Sequence, residues 1–170
     1  MMKISLIATT LLIVATSAAH AGGQAGSLGL GAEFDLAGIG GVSVDYDGGK
    51  FHTGLALGFA DPDGPDNTQF DVDGRFYYHV ASTAMADFGL GGQVVLQTQE
   101  APAPTPTMPN ASTTNVNVYL EPGFQIRVFI ASNVALSFAA GIDIGVAHDG
   151  GVAITGQGLD GSAGIHYYFF

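Results

Sequence analysis

The chain contains no cysteine, which removes disulfide frameworks, thiolate nucleophiles and cysteine-based metal sites from consideration. Positive charge is nearly as scarce, with 4 Lys and Arg against 15 Asp and Glu and a net charge of −11. So few cations cannot form the basic patch that nucleic acid requires. Charged residues of both signs reach only 11%, under half of the usual ~25%, whereas a disordered chain needs many charges and few apolar groups. After residue 16 no continuous apolar run is long enough for a membrane-spanning helix. Glycine is plentiful, 26 of 170 residues. It follows no Gly-X-Y period and sits inside strand-like segments, which excludes collagen and leaves no phosphate-binding glycine loop.

What is present begins with a basic start, Met1-Met2-Lys3, an apolar run over residues 4–16, and Ala19-His20-Ala21. These are the parts of a secretory signal, with a small-x-small cleavage site, and the run is too short for a transmembrane anchor. The expected organisation is a cleaved signal peptide over 1–21 and one domain over 22–170. Cleavage would leave Lys50, Arg75 and Arg127 as the only Lys and Arg of the mature chain.

Apolar residues in that domain fall on every second position, the periodicity of a strand. Leu28, Leu30, Ala32, Phe34 and Leu36 alternate with Gly29, Gly31, Glu33 and Asp35, and Val42, Val44 and Tyr46 alternate with Ser43, Asp45 and Asp47. The scheme recurs through Phe51–Phe59, Phe70–Val80, Ala86–Leu96, Val116–Val128, Val134–Val146 and Leu159–Phe169. That makes eight candidate strands, most near the 9–11 residues with which a tilted strand crosses a bilayer. Connections alternate between short turns, at 47–50, 81–83 and 130–133, and longer Pro-, Gly- or Asp-rich loops, at 61–69, 99–113 and 147–157. The link at 38–41 is much shorter than the other loops. Pro122 cannot donate to a ladder, so a bulge or local break is expected there.

Two features turn the apolar face outward. One face of the strands mixes Gly, Ala and Ser with Asp, Glu, Arg, Gln, Asn and His, which suits the cramped interior of a narrow barrel. The other is continuously Leu, Val, Ile and Phe. Its aromatic residues gather near strand ends: Tyr46, Phe51, Phe76, Tyr78, Tyr167 and Phe169 toward the turns, and Phe34, Phe59 and Phe70 toward the loops. These positions suit the two aromatic girdles of a membrane barrel. The fold class expected is all-β, an eight-stranded antiparallel up-and-down transmembrane barrel.

On the signal peptide, the eight alternating segments and the aromatic ending Gly164-Ile165-His166-Tyr167-Tyr168-Phe169-Phe170, the chain resembles the small eight-stranded outer-membrane barrels of the OmpA and OmpX type. The alternation gives the outward place to Phe169 and leaves Phe170 inward or beyond the strand. The resemblance implies a porin-like, multi-pass protein of the Gram-negative cell envelope, monomeric and without a cofactor. Its partners would be outer-membrane lipid, lipopolysaccharide and, through the C-terminal strand, the barrel assembly machinery. A structural or surface-interaction role is expected, and the alternative is a narrow cation-preferring porin or small-solute channel.

Charges on the inner face must be paired, hydrated or protonated. An ion-pair network filling the lumen is therefore expected from Glu33, Asp35, Asp71, Asp73, Arg75, Glu121, Arg127 and Asp143, with Asp45, Asp87, His52, His79 and His166 on the same face. Each arginine should bridge carboxylates of neighbouring strands. Asp61, Asp63 and Asp66 form an oxygen-rich candidate Ca²⁺ site in a loop that lacks the full EF-hand pattern. Residues 100–109 are Pro-rich and extended, a candidate surface contact. Some outer-membrane barrels are enzymes, but no Ser and His stand close enough in sequence to predict a nucleophile and base. No catalytic residue is assigned.

Overall fold

The computed structural model describes residues 24–36, 39–63, 67–102, 107–108, 111–146, 152–154 and 158–169. The signal-peptide reading for 1–21, Asp66 and Phe170 lie outside the described residues. Ten strands follow in order: β1 (Leu28–Asp35), β2 (Gly41–Asp47), β3 (Phe51–Ala60), β4 (Gln69–Ser82), β5 (Ala86–Pro102), β6 (Ser112–Ala131), β7 (Val134–Gly141), β8 (Ile144–Val146), β9 (Val152–Ile154) and β10 (Asp160–Phe169). All neighbours pair antiparallel. β1 joins β10, and the β5–β6 pairing closes the ring. The barrel is eight-stranded, because β8 continues β7 along the same edge of β6 and β9 pairs with β8.

Alternation and closure together produce an inside-out protein. Phe34 is 56% exposed and Ile165 49%, whereas Arg127 and Asp45 are each 2% exposed. Phe169 points outward and Tyr168 inward, as the alternation requires. The short turns bring the lower strand ends together. At 47–50, Gly49 takes a φ of +82° that favours glycine, and its N–H donates to Asp47 Oδ1 at 2.7 Å. Two register shifts, at His79/Ala81 and Phe129/Ala131, lie near the same turn end.

Pro122 differs from expectation. β6 runs through it without a bulge, and its pairing with Gly92 of β5 keeps register. The break falls instead on the neighbour: β7 stops at Gly141 and β8 resumes at Ile144, both in the same register with β6. Both backbone polar groups of a strand residue face the same neighbour. The Pro122 carbonyl accepts from Ile142 N at 3.1 Å, so the donor that proline lacks also faced β7. The loop at 99–113 is likewise shorter than expected, since β5 continues to Pro102 and β6 begins at Ser112. Residues 152–154 of the last loop form a strand that its composition did not predict.

Pro122→Ala should restore the missing donor and join β7 to β8. NMR hydrogen exchange should then show a protected amide at 122, and an unprotected amide would mean that the break has another cause.

Candidate functional site

The inner face fills in tiers. At the turn end Phe129 and Tyr168 are buried side by side, with ring centroids 5.7 Å apart, and Met85 packs against this cluster. The Arg127 guanidinium lies over both rings, 5.0 Å from the Phe129 centroid and 5.5 Å from that of Tyr168. A desolvated guanidinium gains from aromatic faces and from hydrogen-bonded carboxylates, and here it has both. It donates to Asp47 Oδ2 at 2.6 Å, Asp87 Oδ2 at 2.8 Å and the Tyr168 hydroxyl at 3.1 Å.

One tier higher, Arg75 donates to Glu33 and, at 2.7 Å, to Asp45 Oδ1. It reaches β2 across β3 because position 54 is glycine: a Cβ there would stand 2.7 Å from Arg75 Nε. Asp45 couples the two tiers, since its other oxygen accepts from the Tyr168 hydroxyl at 3.3 Å. Glu33 also accepts from Ser162 Oγ at 3.1 Å. The arginines thus reach across the barrel to β1 and β2, and only Asp87, on β5, comes from a strand adjacent to its arginine. Asp45, Asp47 and Asp87, all on the inward face by alternation, complete ion pairs that the selected network omitted.

Two histidine contacts complete the interior, one at the turn end and one above it. His79 Nδ1 lies 2.9 Å from the Gly49 carbonyl, an acceptor, so that nitrogen carries a proton. In the neutral pair His79 Nε2 then accepts from His52 Nδ1 at 2.8 Å, and the His52 ring stacks on Tyr77 with centroids 5.4 Å apart. Ser43 Oγ lies 2.6 Å from His166 Nε2, a Ser–His pair invisible in sequence because 123 positions separate the two. Glycine at 31 lets β2 and β10 side chains meet over β1, since a Cβ there would be 2.6 Å from the His166 ring. Asp45 Oδ2 is 3.4 Å from that same Nε2, whereas a nucleophile relay places the acid on the opposite ring nitrogen. Ser43 and His166 are each 1% exposed.

Toward the loops the lumen turns acidic. Glu121 accepts from Gln93 Nε2 at 2.5 Å, and Asp71 accepts from Ile39 N at 3.3 Å and Gln97 Nε2 at 3.5 Å. Asp73 Oδ1 is enclosed without a hydrogen-bond partner, and Asp35 is buried on the same face. Glu33, Asp35, Asp73, Gln93 and Ser162 border a cavity of about 10 Å³, room for one water. Carboxylate oxygens of Glu121, Asp143 and Asp160 lie within 4.8 Å of one another. Carboxylates therefore converge inside the barrel. Asp61 and Asp63 in the loop are exposed, their segment held by Thr68 Oγ1 donating to Asp61 and Asn67 Nδ2 donating to the Asp63 carbonyl.

No protein-family model and no curated protein matches the chain. Among solved structures, the crystal structure of the N-terminal β-barrel domain of Pseudomonas aeruginosa OprF is similar, with a TM-score of 0.57 and 10% identity over 85% of this chain and 98% of that one. At that identity the likeness concerns the fold: the chain folds as an OmpA-like eight-stranded barrel.

Removing one partner from a buried ion pair costs about 3–5 kcal/mol. Arg127→Ala should lose that much stability in urea unfolding from detergent micelles, and adding Asp47→Asn should recover part of it by removing the stranded charge. Additive losses in the double variant would show that the two side chains are not coupled.

Proposed function

We propose that the protein is a bacterial outer-membrane barrel with a structural or surface-interaction role, its lumen closed to solutes. Hydrocarbon offers no partners to backbone groups, so only a closed ladder survives in it, and the outward Leu, Val, Ile and Phe side chains are what such a solvent favours. The observation that carries the closed-lumen reading is the Arg127 tier. A guanidinium clasped between Phe129 and Tyr168 and bonded to Asp47 and Asp87 lies inside the narrow barrel toward its turn end. Eight strands leave an interior just wide enough for side chains to fill.

The surface role is supported by the overlong hairpin of β5 and β6. These strands have 17 and 20 residues, against the 9–11 that span a membrane, and they stay paired up to Pro102 and Ser112. At ~3.3 Å per residue the excess raises a two-stranded ribbon roughly 20 Å along the strand beyond the lipid. Outside, the chain would contact outer-membrane lipid and lipopolysaccharide. Its C-terminal strand, with Tyr167 and Phe169 outward, would serve the assembly machinery. This role needs no catalytic group and no cofactor, and a single barrel suffices for it.

Purified protein in planar bilayers should show no stable conductance, while Arg127→Ala combined with Phe129→Ala should open measurable current. A steady cation-selective current from the unaltered protein would overturn the closed-lumen reading and favour a narrow channel. The same protein should fractionate with outer membranes and migrate differently in gels before and after boiling.

A further inference from the structure

Gly74 is a glycine that packing does not require. At each of the other glycines of β1 to β7 and β10, a Cβ would stand 3.0 Å or less from a neighbouring atom, so that a neighbour would have to shift. A Cβ on Gly74 would meet nothing within 4 Å, and its φ is not positive. Glycine in a strand interior forfeits side-chain packing and loses more entropy on folding than other residues, so an uncrowded one in mid-strand points to something outside the chain.

Gly74 lies on the outer face between Val72 and Phe76 and floors a groove bounded by Phe76, Gly92, Val94, Leu120 and Pro122. Phe76 does not fold over the gap, because its ring stacks on Phe51 with centroids 5.5 Å apart. Arg75, Gln93 and Glu121 also line it, but all three are buried on the inner face, so the side chains that bound it from outside are apolar. The hydroxyl at the margin, on Thr53, already donates to the Arg75 carbonyl at 2.7 Å, so it has no hydrogen to offer a headgroup. Along β4, Gly74 is four residues from Phe70 and four from Tyr78, the outward aromatics of the two girdles. Each interval is roughly 13 Å of strand, which sets the groove at the depth of lipid tails.

We propose that this groove binds one acyl chain of a membrane lipid, held by apolar contact alone. The proposal rests on the membrane reading above. A polymethylene chain matches apolar walls at tail depth with no polar anchor, and the missing side chain at Gly74 supplies the space.

Native mass spectrometry tests it on the whole mature barrel, inserted into palmitoyl-oleoyl phosphatidylethanolamine and phosphatidylglycerol vesicles and extracted in mild detergent. The unaltered barrel should retain a single phospholipid. Gly74→Leu, whose side chain has free space to enter, should lower retention by about tenfold, as expected when contact with roughly two methylenes is lost. Ala32→Leu places the same side chain at an exposed outer position of β1 and should leave retention unchanged. Equal retention in Gly74→Leu, or none in the unaltered barrel, overturns the groove. A second barrel as the adduct, lost on the same substitution, overturns it in favour of self-association. Gel mobility before and after boiling separates the two readings: a chain that inserts and shifts but shows no selective retention sinks the groove alone, while one that never inserts sinks the membrane reading as well.

Discussion

Once β1 pairs with β10, from Leu28 opposite Phe169 to Asp35 opposite Ser162, the barrel wall is closed, and its inner face becomes a space that polar side chains must satisfy among themselves. An open sheet could hydrate Asp45, Arg75 or Arg127. The closed one cannot, so each buried charge needs a partner across the lumen. Small residues on the inner face make those reaches possible. Glycine at 54 lets Arg75 cross β3, and glycine at 31 lets Ser43 meet His166 over β1.

The charge arrangement is graded along the barrel axis. Both arginines sit toward the turns and collect Glu33, Asp45, Asp47 and Asp87, while Asp71, Asp73, Glu121 and Asp143 lie nearer the loops. Dispersing four carboxylates around two guanidiniums also links β1, β2, β4, β5 and β6 through side chains. A buried ion pair gains little net stability over an apolar pair, because desolvation offsets the Coulomb attraction. Its physical effect here is specificity, since a strand shifted by one residue would expel these charges onto the apolar face. On the closed-lumen proposal the two ends of the lumen would act oppositely: the carboxylates nearer the loops would favour cations, and the aromatic clasp on Arg127 would obstruct them.

Much of the fold was legible because strand periodicity is local. The alternation at 28–36, 42–47 and 159–169 assigns each side chain to a face without knowledge of any partner, and those assignments match the observed exposures. Pro122 shows the limit. Its missing donor was readable, but whether that donor faced β5 or β7 depends on ladder phase, which decided that the neighbour broke and β6 did not. The strand over 152–154 was equally hidden, since three residues carry no periodic signal and owe their pairing to β8. At the lumen, alternation brought Asp45 and Asp87 into the inward set. It could not show that they, and not Asp35 or Asp71, would bind the arginines.

The amino-acid sequence by itself determined the strand count of the barrel, the polarity of its two faces and the scarcity of cations to neutralise its inner carboxylates, because all three follow from spacing and composition along the chain. Tertiary structure decided which charges pair, where the ladder breaks, that Ser43 meets His166, and that the missing side chain of Gly74 leaves space where the other glycines of β1 to β7 and β10 sit against neighbouring atoms. Those outcomes depend on shear and register around a closed ring, which bring together residues as far apart as Leu28 and Phe169, at the two ends of the barrel sequence, and no local period encodes such a distance.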